Sequence, residues 1–185
     1  MNEDTTRSDV TRTIRARFRE LDAWFDRPED SRRAHQASEV GWTIDEILEH
    51  VMLTNRYLLR TARKQTALAE RRAARGVVPA RDTSDLERLR IIGERGAFPW
   101  HRPDHMAPTG EVASGEVRAE LATQLAECES LLERLGDERG RLAVVTMSVA
   151  DLGKIDIYEW LFFLGEHMRR HLAQLEVIAG EWGAR

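Results

Sequence analysis

Apolar residues recur at intervals of three and four positions in four long segments of this chain, and this spacing constrains the fold more than any other feature. Such spacing places apolar side chains on one face of an α-helix. The predicted helices run over about residues 8–25, 43–75, 115–135 and 156–182. Because each helix must bury its apolar face and no convincing sheet is present, the sequence predicts an all-α fold, a four-helix bundle.

Capping-box pairs, in which a Ser, Thr or Asp is followed three positions later by Glu, predict where helices begin. The pairs are Thr43 with Glu46, Ser84 with Glu87, and Asp156 with Glu159. The middle pair predicts an additional short helix over about residues 85–94. The segment "LAVVTM" allows one short extended piece.

A long loop separates the second and third long helices. Its sequence, "RGAFPWHRPDHMAPTGEVASG", contains three prolines and several glycines, which exclude a regular helix. Loops of this length are uncommon within a compact domain and often line a site or pack over a core. The loop therefore becomes a candidate wall of a functional site.

Composition excludes several classes of function. The 185 residues suit a single domain spanning 1–185, with 42% apolar and 32% charged residues. A net charge of −4 gives no basic excess for nucleic acid, and the longest apolar run, "WLFFL", is too short to span a membrane. The N-terminus has no apolar signal region, and the single cysteine, Cys128, falls on the apolar face of the third helix. These features predict a cytoplasmic protein with Cys128 in its core.

Two histidines lie on the apolar face of the last helix. At 100° per residue, His167 and His171 share a narrow sector with four apolar residues, Trp160, Leu164, Leu175 and Ile178. An unpaired buried imidazole costs a few kcal/mol, and one metal ion would supply a partner for both rings. Two core histidines with ordinary hydrogen-bond partners fit the spacing equally well, so spacing alone leaves both interpretations open.

Two ligands would hold a metal weakly, so a third must come from elsewhere in the chain. His35 lies in a linker, and His101 and His105 share the long loop. His50 lies on the second helix, at the edge of its apolar stripe. Periodicity therefore does not choose between His50 and the pair in the loop.

Two segments, "WTIDEILEHVMLTNRYL" and "GKIDIYEWLFFLGEHMRRHLAQLEVI", resemble the DinB/YfiT-like superfamily of bacterial four-helix bundles. The first fits the pattern W-x3-E-x3-H through Trp42, Glu46 and His50. The second fits G-x-l-x3-E-W-l…H-x2-R-H-x2-Q through Gly153, Ile155, Glu159, Trp160, His167, Arg170, His171 and Gln174. The resemblance covers about residues 10–180. It implies a DinB/YfiT-like bundle with a long loop between helices two and three, and a divalent metal on His50, His167 and His171.

Three neutral imidazoles would leave at least one coordination position open, as catalytic metal sites do, and zinc or nickel suits such ligands. The resemblance implies an enzyme acting on a small molecule. One interpretation is a transferase or isomerase that uses a low-molecular-weight thiol cosubstrate, held as a metal-bound thiolate. The alternatives are a hydrolase with a metal-bound hydroxide and a non-catalytic metal-binding helical module. We favour the thiol slightly, because the ligand helices offer no obvious general base beyond Glu46 and Glu166 and a metal-bound thiolate needs less help from one.

Further roles around the metal are hypotheses about single residues. Glu46 could accept the second ring N–H of His50, or could serve only in its capping box. Gln174, one turn after His171, could orient that ring.

The substrate contacts and the assembly are also open to prediction. Arg170, with Arg169 beside it, could attract an anionic substrate, and Trp100, His101 and His105 could line the mouth of the site. The catalytic residues themselves are not identified by the sequence. The resemblance alone implies a homodimer.

Overall fold

The computed structural model describes residues 5–33, 41–97 and 103–183. These residues are mostly helical, which agrees with the all-α prediction. The α-helices are α1 (Thr5–Asp22), α2 (Glu29–Arg33), α3 (Ile44–Ala74), α4 (Ser114–Leu135) and α5 (Ile157–Gly183). Short 3₁₀ turns cover Ala23–Asp26, Glu87–Gly93, Asp104–Met106, Arg139–Leu142 and Val149–Asp151. None of the described helices is long and apolar enough to cross a membrane.

The four long helices pack side against side. α1 contacts α4 and α5, and α3 contacts the same two helices. The predicted apolar stripes face inward, and Ile14 and Leu21 of α1 and Leu48 and Val51 of α3 are fully buried. A Cβ atom on Gly165 of α5 would lie 3.1 Å from a methyl group of Thr13, so this glycine allows α1 to lie close to α5.

Helix α5 forms the centre of the core. Residues 157–168 are all buried, because α1, α3 and the 3₁₀ turn Glu87–Gly93 pack around this part of the helix. Any polar side chain in this stretch is therefore removed from water and requires a partner inside the protein.

Two of the three predicted capping boxes are present. The backbone N–H of Glu46 donates to the Thr43 hydroxyl, and that of Thr43 donates to the Glu46 carboxylate. Asp156 and Glu159 exchange the same pair of bonds at the start of α5, at 3.0 and 2.6 Å.

The third predicted capping box is wrong. The Ser84 hydroxyl donates instead to the buried carboxylate of Asp156, at 2.7 Å. The segment that follows is a 3₁₀ turn without a side-chain cap, not an α-helix. A tertiary hydrogen bond thus takes the place of the local one.

A β-hairpin leads into α5. Strand β1 (Val144–Met147) pairs with β2 (Gly153–Asp156) in antiparallel register, with Val144 opposite Asp156. The extended piece predicted at "LAVVTM" corresponds to β1, whereas β2 was not predicted. Its sequence, "GKID", is too short for an alternating pattern to be recognised.

Cys128 lies in the core of the helical assembly. The side chain is fully buried, as predicted from its position on the apolar face. Burial also raises the pKa of the thiol far above its ordinary value. The residue therefore behaves as a small apolar side chain and not as a nucleophile.

Candidate metal centre

Helices α3 and α5 bring three histidines together between them. One ring nitrogen from each of His50, His167 and His171 lies within 4.8 Å of the other two. The three side chains are nearly inaccessible, with exposures of 5%, 3% and 6%. The fold thus gathers the three residues that the resemblance implied as ligands.

The two histidines of α5 lie one turn apart and nearly touch. The Nε2 atoms of His167 and His171 are separated by 3.1 Å, and their ring centroids by 4.5 Å. The His50 ring approaches from α3, with its centroid 4.8 Å from that of His171 and 5.6 Å from that of His167. The cluster is therefore a triangle with one edge along α5 and its apex on α3.

Two of the rings are held from outside the cluster. Nδ1 of His50 lies 2.6 Å from the backbone carbonyl oxygen of Met106. A carbonyl oxygen can only accept, so Nδ1 of His50 carries the proton and Nε2 bears the lone pair. Nδ1 of His171 lies 2.7 Å from Oε1 of Gln174, which fixes the same tautomer. This is the contact that an orienting role for Gln174 requires.

Burial keeps the two histidine rings of α5, His167 and His171, neutral. It is the main cause that lowers the pKa of His167 well below its usual value, with His171 and His50 adding to the effect. Burial, followed by His50, lowers the pKa of His171 to about 3. Both rings are therefore neutral at pH 7, the form in which imidazole binds a metal.

The donor set fits a divalent cation. Ligand nitrogens bound at 2.0–2.1 Å in a tetrahedral site lie about 3.3 Å from one another, close to the 3.1 Å between His167 and His171. His50 and His171 both hold their protons on the outer nitrogen. A cation between the rings would satisfy the inward lone pairs together, whereas a hydrogen-bond network would need an additional proton donor.

A cavity of about 530 Å³ adjoins the histidines. Its wall is mostly apolar and aromatic, and the described lining residues include no aspartate or glutamate. Beside the three histidines, the lining consists of Trp42, Thr54, Tyr57, Leu58, Pro103, Met106, Thr146, Met147, Ser148, Val149, Trp160, Phe163, Arg170 and Gln174. Its volume suits a small molecule.

The other predicted site residues occupy several environments. Glu46 closes the capping box of α3, so its carboxylate bonds to Thr43 N, and the Met106 carbonyl holds the outer nitrogen of His50. Arg170 lines the cavity and donates through Nη1 to the Glu94 carbonyl at 2.9 Å.

Arg169 and His105 do not belong to the described wall. Arg169 donates to the Glu166 carboxylate at 2.7 Å. His105 is exposed, with its ring centroid 5.4 Å from that of Tyr57 at the cavity. Trp100, His101 and His35 fall outside the described residues.

The sequence did not reveal two contributions to the site. The Met106 carbonyl is a backbone atom, and no sequence pattern marks which peptide group of a loop will face a ring. The hairpin residues Thr146–Val149 also line the cavity. No pattern in this short segment of the sequence marked these residues as part of a site.

Comparison with known protein families gives a match. A family model described as the DinB superfamily matches residues 10–175, a range that includes all three histidines. No curated protein and no solved structure matches the chain.

Proposed function

The chain belongs to the DinB superfamily, and on that premise we propose that it is a divalent-metal-dependent enzyme acting on a small molecule. Its metal, zinc or nickel, is held by His50, His167 and His171. The reaction is a transfer or isomerisation that depends on a low-molecular-weight thiol. We also propose that α1, α3, α4 and α5 constitute the four-helix bundle of this superfamily.

The observation that carries this proposal is the orientation of the imidazoles. His50 and His171 each have the proton on the nitrogen that faces away from the cluster, because Met106 and Gln174 accept there. Three rings are buried together without a carboxylate in the described cavity wall. Buried lone pairs that converge in this way are matched by a cation better than by one another.

The bound cation would supply Lewis acidity, lowering the pKa of a thiol or a water at its open coordination position. The chain's own residues favour the thiol. Hydrolysis is assisted by a general base, and neither Glu46 nor Glu166 lines the cavity. Glu46 belongs to a capping box, and Glu166 is buried against Arg169. A thiol is more acidic than water, so at such a cation its proton would pass to solvent without help from a base of the protein.

The cavity wall suggests what the substrate carries. The rings of Trp160 and Phe163 stack with centroids 6.4 Å apart and form an apolar surface beside the histidines. Arg170 is the one Lys or Arg among the described lining residues. We propose that an apolar substrate body packs on the rings while Arg170 pairs with an anionic group.

The metal site is tested by binding measurements on purified protein. Metal analysis should find zinc or nickel at about one ion per chain, removable with a chelator. His50→Ala, His167→Ala and His171→Ala should each lower zinc affinity by about 100-fold or more, beyond the usual cost of losing a residue that only supports a ligand. An unchanged affinity in the His50 variant would overturn the three-histidine site.

The reaction class is tested separately with metal-loaded protein. A panel of small electrophiles is incubated with mycothiol, bacillithiol or glutathione, and thioether formation or isomerisation is followed. Turnover that requires both thiol and metal supports the proposal. Ester or amide hydrolysis without thiol would support the hydrolase instead, and metal binding without any turnover would support a non-catalytic module. The homodimer and the cytoplasmic location stay predictions.

A further inference from the structure

The residue immediately before the His50 ligand is a buried carboxylate. Glu49 is only 2% exposed. Its Oε1 accepts hydrogen bonds from the backbone N–H and the hydroxyl of Thr109, both at 2.9 Å, and its Oε2 accepts from the N–H of Gly110 at 2.9 Å. Both carboxylate oxygens are therefore bonded to one short piece of the long loop.

The same piece of loop also holds His50. Met106, three residues before Thr109, is itself 8% exposed, lines the cavity and places its carbonyl 2.6 Å from Nδ1 of His50. Residues 103–110, which we term the clamp segment, are thus fastened to α3 at two consecutive helix positions. Because consecutive helical side chains diverge by about 100°, the two fastenings fix the segment on two sides of the helix.

A carboxylate is well suited to this fastening. A buried charge costs several kcal/mol unless it is fully hydrogen-bonded, and charge-assisted bonds are roughly twice as strong as neutral ones. Thr109 and Gly110 are themselves exposed residues, yet their backbone N–H groups donate to the buried Glu49 carboxylate rather than to solvent. Glu49 thereby sets the position of the peptide groups at residues 109 and 110, and through the chain the position of the Met106 carbonyl.

We propose that Glu49 is a positioning residue for the ligand His50. By fastening the clamp segment it keeps the Met106 carbonyl against Nδ1–H and holds the Nε2 lone pair toward His167 and His171. Glu49 lies outside the cavity lining, so it touches neither metal nor substrate. The proposal rests on the proposed metal site, because it assigns Glu49 a role only through the ligand His50.

The test compares three variants that remove different parts of the fastening. Glu49→Ala removes all three bonds, Glu49→Gln replaces one acceptor oxygen by a donor, and Thr109→Val removes only the hydroxyl bond. Nitrogen NMR of the imidazoles in metal-free protein should show His50 as a single Nδ1–H tautomer in the unmodified chain. In the Glu49→Ala variant the two tautomers should mix, and zinc affinity should fall by about 10–100-fold. The tautomer ratio and zinc affinity of Glu49→Gln should lie between those of Glu49→Ala and the unmodified chain. Those of Thr109→Val should be closest to the unmodified chain.

A control separates positioning from a general loss of stability. Leu135→Ala removes a fully buried side chain of α4 that lines neither the cavity nor the clamp segment. It should lower the melting temperature and leave the His50 tautomer and zinc affinity unchanged. An unaltered tautomer and affinity in both Glu49 variants would overturn the proposal. If Glu49→Ala does not fold, the His50 tautomer and the zinc affinity of Glu49→Gln and Thr109→Val test the proposal in its place.

The outcomes also distinguish this proposal from the function on which it rests. If the unmodified chain binds no zinc, or if His50→Ala leaves affinity unchanged, the metal site fails and the positioning role fails with it. If the unmodified chain binds zinc through His50 but the Glu49 variants match it, only the role of Glu49 fails.

Discussion

Gln174 is a single side chain whose amide decides which nitrogen of a buried ring is available. Its Oε1 lies 2.7 Å from Nδ1 of His171, and Gln174 is itself 7% exposed. Without that acceptor the ring loses its tautomeric preference, and part of the population turns a proton toward His167. Outer partners of metal-binding histidines act in this way in many proteins.

Replacing Gln174 by Ala should lower zinc affinity by about 10–100-fold, whereas Gln174→Glu, which retains an acceptor oxygen, should bind nearly as tightly as the unmodified chain. Competition with a chromogenic chelator measures both. Gln124 provides a matched control, because its amide is equally buried but donates to the Met52 carbonyl away from the cavity. Gln124→Ala should therefore destabilise the fold without changing affinity. Equal losses in the two alanine variants would refute the orienting role.

Asp156 is a second residue whose environment decides its protonation. Burial, and next the charge of Glu159, raises its pKa to about 6. A carboxyl with a raised native pKa contributes its full stability below the unfolded pKa of 3.8, and that contribution is lost as the pH rises through about 6. Relative to Asp156→Asn, which cannot ionise, the unmodified protein should lose at most about 3 kcal/mol between pH 4 and pH 7.

Urea unfolding at a series of pH values measures this difference. Asp22→Asn is the control, because the Arg118 guanidinium lowers the pKa of Asp22, which therefore stays ionised in the native state across the same range. The free-energy gap between Asp22→Asn and the unmodified chain should stay nearly constant. A gap for Asp156→Asn that is equally flat would contradict the raised pKa of the Asp156 carboxyl.

Single residues also show how far the sequence could predict the site. His167 and His171 followed from the periodicity of one helix, since both fall within a sector that must be buried. His50 required the family resemblance, because it lies at the edge of its stripe. The Met106 carbonyl and the Glu49 fastening depend on where a loop returns to α3, and that tertiary information is not encoded in any local pattern.

The β-hairpin is the element that local rules describe least well. Ala150 and Asp151 at its tip have φ values of 49° and 51°, a left-handed conformation that is uncommon for residues other than glycine. The neighbouring Ser148 and Val149 line the cavity. The long helices, in contrast, were predicted closely because periodicity and caps agree, as at Thr43. Each strand is only four residues long, so neither a periodic pattern nor a capping residue marks it in the sequence.

Ala150→Gly should raise the free energy of unfolding by up to about 1 kcal/mol. Relief of left-handed strain contributes about 1–2 kcal/mol, and the greater freedom of glycine in the unfolded chain removes part of it. Ala150→Val should lower stability by about 1 kcal/mol or more. Ala119→Gly in the exposed face of α4 is the control for the same substitution in a helix, where a loss of about 1 kcal/mol is expected. Equal losses at both alanines would show that the tip is not strained.

For the whole molecule, the main question is whether the fold depends on the metal. The buried set includes large apolar side chains from all four long helices, such as Ile14, Leu48, Leu132 and Leu161, and none of them is a proposed ligand. A site assembled on helices that already pack together differs from a zinc finger, in which the metal replaces a core. The metal should therefore add to a stability that exists without it.

Chelation should lower the melting temperature and leave a cooperative transition. Free zinc at 100 times its dissociation constant stabilises the native state by about 2.7 kcal/mol. For a chain of this size that corresponds to a shift of about 5–10 °C. Calorimetry with zinc, with chelator and with zinc restored measures the shift, and His50→Ala should show much less of it at the same zinc concentration. Because the apolar core is shared by all four helices, loss of the cooperative transition on chelation would mean that the ion builds the fold, and the catalytic interpretation would give way to a structural one.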